Sequence, residues 1–184
     1  MGLLQYDYIQ AKFFSGIDND DFRDVFTNYY CIPQFGMRRS ENRNHFFEKL
    51  FNCSKNQDLV DLVNYLQTNC PAGSYTFSFA TKLLHTVNPD SPIFDRKSYR
   101  YLKREERVDL WSVISFTKDS QGKRVYKPGI IEHNWETLNS WYSSFLVSKR
   151  GKSWINWFDS NFPSHHSISN VKKIDLIISS CGGY

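Results

Sequence analysis

At 184 residues, with 40% hydrophobic and 17% aromatic residues, the chain is long enough to bury a core without disulfides or metals and too apolar to be disordered. Its 23 Lys and Arg against 19 Asp and Glu give a formal charge of +4, which favours a polyanionic partner without demanding one. No apolar stretch approaches the roughly 20 residues that cross a bilayer, and residues 1–10 lack the basic-then-apolar pattern of a signal peptide, so a cytoplasmic protein without membrane contact is expected.

No internal repeat, low-complexity segment or Pro/Gly/Ser-rich linker divides the chain, which predicts one mainly helical, all-α domain spanning 1–184. Residues 18–30 carry Phe22, Val25, Phe26 and Tyr29 at helical spacing, and Ser40 starts a second helix bearing Phe46, Phe47, Leu50 and Phe51. In 58–67, Leu59, Val60, Leu62, Val63 and Leu66 form an apolar stripe that stops at the breaker cluster 69–73. Another helix runs from Ser74 or Tyr75 through Phe77, Ala80, Leu83 and Leu84 until Asn88, Pro89 and Pro92 end it. Asp95 is placed to cap the charged stretch that follows it. The irregular pattern of 108–131 predicts a long loop or small hairpin, and 134–147 and 153–162 read as Trp-rich helices. Ser169 or Asn170 caps a final helix. The four cysteines, Cys31, Cys53, Cys70 and Cys181, form no C-x-x-C pair and have no close His partner, which predicts reduced, mostly buried thiols, no metal site and no cofactor.

The segment 69–102 holds three parts with separate physical jobs. Two helices joined by a Gly-containing turn can aim backbone N–H groups and a helix N-terminus at a phosphate, and Gly73 lets the backbone approach closely. A proline-bearing loop then leads to Asp95 at the start of a helix, where the dipole favours an anion able to stabilise a developing sugar cation. Arg96, Lys97, Arg100, Lys103, Arg104 and Arg107 follow, offset only by Glu105 and Glu106, and offer a duplex a basic surface.

This segment, about a fifth of the chain, resembles the helix-hairpin-helix motif and aspartate loop of the HhH-GPD DNA glycosylase superfamily. The hairpin, which in some monofunctional members of that family ends in G-x-Y-T, matches Gly73, Ser74, Tyr75 and Thr76; Pro71 stands where the family has an earlier glycine. Ile93, Phe94, Asp95 and Arg100 reproduce the apolar pair, the acid and the arginine of V-D-x-H-V-x-R, with Lys97 in place of the histidine. The resemblance implies a helix-hairpin-helix glycosylase fold, with the motif at about 58–87 and the aspartate loop at 88–96. It makes Asp95 the catalytic acid, with Gly73, Ser74, Arg96, Lys97 and Arg100 on the DNA. Tyr75 falls where bifunctional members carry their Schiff-base lysine, so the implied activity is monofunctional: the base is excised and an abasic site remains. The missing cluster cysteines are similar to the compact prokaryotic 8-oxoguanine glycosylase-like proteins. The implied partner of this expected monomer is double-stranded DNA carrying a damaged or modified base, in base-excision repair or in defence against phage DNA.

Lys82 lies seven residues beyond Tyr75, two turns along the same helix face. It is read as a phosphate contact or a solubilising surface charge, with Schiff-base lyase chemistry as the alternative. Plainer readings stand beside the others: Asp95 as an ordinary N-cap, Tyr75 as a core residue and Gly73 as a helix-ending glycine. A DNA-binding module without catalysis is the remaining alternative.

Overall fold

The computed structural model describes residues 2–32, 40–70, 76–111, 116–118, 120, 124–126 and 129–181. The chain divides into two compact units, Met1–Asn88 and Pro89–Tyr184. Among the described residues it is helical apart from one two-stranded antiparallel sheet, in line with the expected all-α class.

The first unit holds α1 (Gly2–Phe14), α2 (Asp20–Tyr29), α3 (Ser40–Phe51), α4 (Leu59–Asn69) and α5 (Thr76–Val87). Local caps set two of the starts: the Asn19 side chain accepts from the Phe22 N–H at 2.9 Å, and Asp58 accepts from the Asp61 N–H at 3.0 Å. The apolar stripes then converge. Phe22, Phe26, Phe46 and Phe47 are fully buried, with ring centroids 5.4 Å apart for Phe26 and Phe47 and 5.8 Å for Phe22 and Phe47. Each contributes roughly 2–3 kcal/mol of burial. Helix α5 packs against α1, α3 and α4 and is buried on nearly every face, so its polar groups must be satisfied internally. Thr81 donates to the Ser78 carbonyl at 3.0 Å and Thr86 to the Lys82 carbonyl at 2.9 Å. His85 shares a hydrogen bond of 3.1 Å with the Tyr6 hydroxyl of α1. Helix α1 was not expected from the sequence, because apolar and aromatic residues surround much of it and only Tyr6 and Ile9 define its buried stripe.

The second unit holds α6 (Arg96–Arg104), β1 (Phe116–Lys118), β2 (Arg124–Tyr126), α7 (Ile130–Val147), α8 (Lys149–Asn161), a 3-10 turn (Pro163–His165) and α9 (Asn170–Cys181). The strands pair with Phe116 opposite Tyr126 and Lys118 opposite Arg124, so a small hairpin occupies part of the irregular stretch. Helix α7 starts at Ile130, earlier than its apolar pattern suggests, because Gly129 takes a φ of 74° that turns the chain into the helix. Helix α9 packs against α6, α7 and α8 through Val171, Ile174 and Ile178. Gly151 lets α8 begin hard against the end of α7: a Cβ there would overlap the Phe145 carbonyl. Glu106, just past α6, is tied to α8 by Arg150 at 2.8 Å.

Two expectations are corrected. Of the four cysteines only Cys70 is buried; Cys31 and Cys181 are exposed and Cys53 is half-buried, because the first lies in a turn, Cys181 ends α9, and neither is on an apolar stripe. Lys82 is neither a surface charge nor open to a phosphate. It is 9% exposed, and its Nζ donates to the Tyr30 carbonyl at 2.9 Å, since nearly every face of α5 is covered.

Candidate functional site

The loop entering α6 is anchored by its apolar residues: Ile93 is 2% exposed and Phe94 3%. Burying that pair fixes where the next residue, Asp95, leaves the core. Asp95 has the extended backbone of an N-cap, and its Oδ1 accepts from the N–H groups of Lys97 and Ser98, both at 2.8 Å. Ser98 reciprocates, its fully buried Oγ accepting from the Asp95 N–H at 2.8 Å, which completes a capping box. The carboxylate is therefore held in one orientation. Its second oxygen, Oδ2, takes no hydrogen bond among the described residues, and the residue is only partly covered. A carboxylate fixed through one oxygen and open through the other can orient a water or face a developing cation.

Beyond Asp95, Arg96, Lys97, Arg100, Lys103, Arg104 and Arg107 are all exposed. Of the two acids expected to offset them, Glu106 turns away to Arg150 and to the Tyr101 hydroxyl, which donates to it at 2.9 Å. The outward face of α6 thus keeps its positive charge for a partner.

On the inner side, Ser169 joins the start of α9 to the aspartate loop. Its Oγ donates to the Pro89 carbonyl at 2.6 Å and accepts from the Lys172 N–H at 3.1 Å. One turn into α9, Lys172 and Asp175 form an ion pair of 2.7 Å, with side chains 3% and 5% exposed. From α7, Tyr142 enters the same region. It is 2% exposed, and its hydroxyl finds no hydrogen-bond partner among the described residues. Burial above all raises its pKa well beyond the usual range, with the carboxylates of Asp175 and Asp95 pushing the same way and Lys172 opposing. Leaving such a hydroxyl without a partner costs about 1–3 kcal/mol.

Asp95, Arg96, Lys97 and Arg100 thus share one unit, and Lys82 belongs to the other. Gly73, Ser74 and Tyr75 lie outside the described residues, between the ends of α4 and α5. Sequence reasoning missed Tyr142, Lys172 and Asp175. One signal was present: Asp175 sits inside the run Ile174, Leu176, Ile177, Ile178, where a lone acid calls for a buried cation.

Among the described residues no group of three or more His, Cys, Asp or Glu side chains could hold a metal ion, and no helix is long and apolar enough to cross a membrane. No family model matches the chain, and neither a curated protein nor a solved structure is significantly similar to it.

Proposed function

We propose that this chain is a monofunctional DNA glycosylase, in which Asp95 serves the excision of a damaged or modified base from double-stranded DNA. One observation carries the reading: a carboxylate clamped through Oδ1, with Oδ2 open, stands at the head of a helix whose outward cations suit a phosphate backbone. The order of parts in the chain supports it as well. A helix pair with a glycine-bearing join precedes the aspartate loop, as in the helix-hairpin-helix glycosylases that the segment resembles.

In such a reaction the target nucleotide leaves the stack, and the C1′–N bond breaks with its electron pair departing on the base. The sugar cation forms beside the Asp95 carboxylate, water adds at C1′, and its proton passes to that carboxylate and on to the base or solvent. The burial of Lys82 against the Tyr30 carbonyl gives this amine a structural task and leaves Asp95 the better candidate for the chemistry.

The test is abasic-site formation. Duplexes carrying normal, oxidised, deaminated, alkylated or glucosylated bases are incubated with protein and then treated with alkali. The expected result is alkali-dependent breakage on one class of base, reduced roughly 100-fold or more by Asp95→Asn. One observation favours a second reading: the capping box gives Asp95 a complete structural reason to be there. A duplex-binding protein that breaks none of these substrates would be a DNA-binding module, and the enzymatic reading would fall.

A further inference from the structure

We propose that the Trp111 indole, backed by His133, is a stacking platform for an unpaired base of single-stranded DNA whose phosphates lie along the cations of α6. The inference goes beyond the glycosylase reading and needs neither Asp95 nor base excision.

A single exposed apolar residue is ordinarily incidental, but this one is held in place. The chain leaving α6 is pinned residue by residue. The Val108 N–H donates to the Leu102 carbonyl at 3.0 Å, His133 Nε2 of α7 donates to the Asp109 carbonyl at 2.7 Å, and Lys103 Nζ donates to the carbonyl of the fully buried Leu110 at 3.1 Å. At Trp111 the fully buried Asn134 spends both halves of its amide on one residue. Its Oδ1 accepts from the Trp111 N–H at 2.7 Å, and its Nδ2 donates to the Trp111 carbonyl at 3.0 Å. That clamp fixes the backbone from which the indole springs. The His133 ring then stacks on the indole, with centroids 4.0 Å and planes 19° apart. No other ring meets it among the described residues, and Trp111 stays 45% exposed. Folding thus orders a large aromatic ring and leaves it half in water, losing side-chain freedom without the gain of full burial.

Chemistry and charge name the occupant. A rigid, flat, wetted ring suits another flat ring, and every nucleobase offers one whatever its sequence. The surroundings are cationic: Lys103, bonded to residue 110, is exposed, as are Arg104 and Arg107. Of the nearby acids, Glu106 is taken up by Arg150, and the Asp109 carboxylate stands 3.7 Å from His133 Nε2; Glu105 is the other. An aromatic face beside cations able to track a phosphate backbone is how single strands are gripped. In a duplex the base faces cover one another, so the platform selects a strand whose bases are open.

The experiment measures fluorescence anisotropy of a labelled oligothymidylate of about 15 nucleotides with the full-length chain. A second strand of the same length carries abasic tetrahydrofuran residues in place of the central nucleosides. Trp111→Ala is expected to weaken binding of the oligothymidylate roughly 5- to 100-fold. The abasic strand is expected to bind the wild type more weakly by a similar factor, and to bind Trp111→Ala within about twofold of the wild type. That last result also shows the variant to be folded. Trp111→Phe keeps an aromatic face and is expected to recover oligothymidylate affinity to within about threefold of the wild type. Oligothymidylate binding by Trp111→Ala within about twofold of the wild type overturns the proposal, as does an equal loss on both strands. A wild type that binds neither strand overturns it too. An oligouridylate held about tenfold tighter than the oligothymidylate overturns the assignment to DNA. A wild type that self-associates in sedimentation, and is monomeric as Trp111→Ala, gives the indole to a second copy of the chain and likewise overturns it. Excision in the duplex panel bears on Asp95 alone, so this proposal and the glycosylase reading fail separately.

Discussion

Asp95 has two separable tasks in the structure, and two substitutions tell them apart. Asp95→Ala removes the acceptor for the Lys97 and Ser98 N–H groups, both bonded at 2.8 Å. The Lys97 amide lies on an exposed residue and regains water, whereas Ser98 is fully buried and its amide does not. Cap removal ordinarily costs 0.5–2 kcal/mol, and the buried amide puts this one in the upper half, at about 1.5 kcal/mol. Asp95→Asn keeps an acceptor oxygen, and Asn ranks with Asp as a cap, so its loss is expected to stay under about 0.5 kcal/mol. Tryptophan fluorescence during urea unfolding is a suitable assay, because all five tryptophans, from Trp111 to Trp157, lie in the unit that contains α6. The midpoint for Asp95→Ala should fall clearly below that for Asp95→Asn, which should lie near wild type. An alanine variant that unfolds with the wild type, or an asparagine variant that loses as much as alanine, would refute the capping argument. Excision gives the complementary pattern, with both variants inactive.

Two further outcomes follow from exposure and charge. If Arg96, Lys97 and Arg100 contact phosphates, replacing all three with Gln should flatten the dependence of duplex affinity on salt by about two to three in log–log slope; an unchanged slope would remove them from the interface. Cys70 donates to the Asn42 carbonyl at 3.2 Å, and burial pushes its thiol up to about 12. Its thiolate is therefore scarce at neutral pH, so iodoacetamide should alkylate the exposed Cys31 and Cys181 in the folded protein and reach Cys70 only after denaturation, as read by peptide mass spectrometry. Equal labelling of Cys70 and Cys31 would contradict its burial.

The legible parts of the candidate site are those whose physics is local. Asp95 is three residues from the amide it caps, and Asp58 and Ser169 act over the same short distance. The exposed cations of α6 follow from their density alone, since a helix this charged cannot be buried all round. The burial of Lys82 has the opposite, non-local origin. A single lysine on an amphipathic helix is usually solvated, and only the packing of α5 against α1, α3 and α4, with Tyr30 presenting its carbonyl, makes a buried ammonium tolerable.

By itself, then, the sequence determined where most helices begin and end, because caps, breakers and apolar stripes act within one or two turns. It also settled that an acid should stand between a buried Ile93–Phe94 pair and a basic helix. Tertiary structure alone decided the burial of Tyr142, Lys172 and Asp175 in the same unit. Tyr142 is 47 residues from Asp95, and Lys172 is 30 beyond Tyr142; no short-range pattern links them. The packing of α9 against α6 and α7 turns two charges spaced for a solvated helix face into a buried pair, and Tyr142 of α7 is buried with its hydroxyl unpartnered among the described residues.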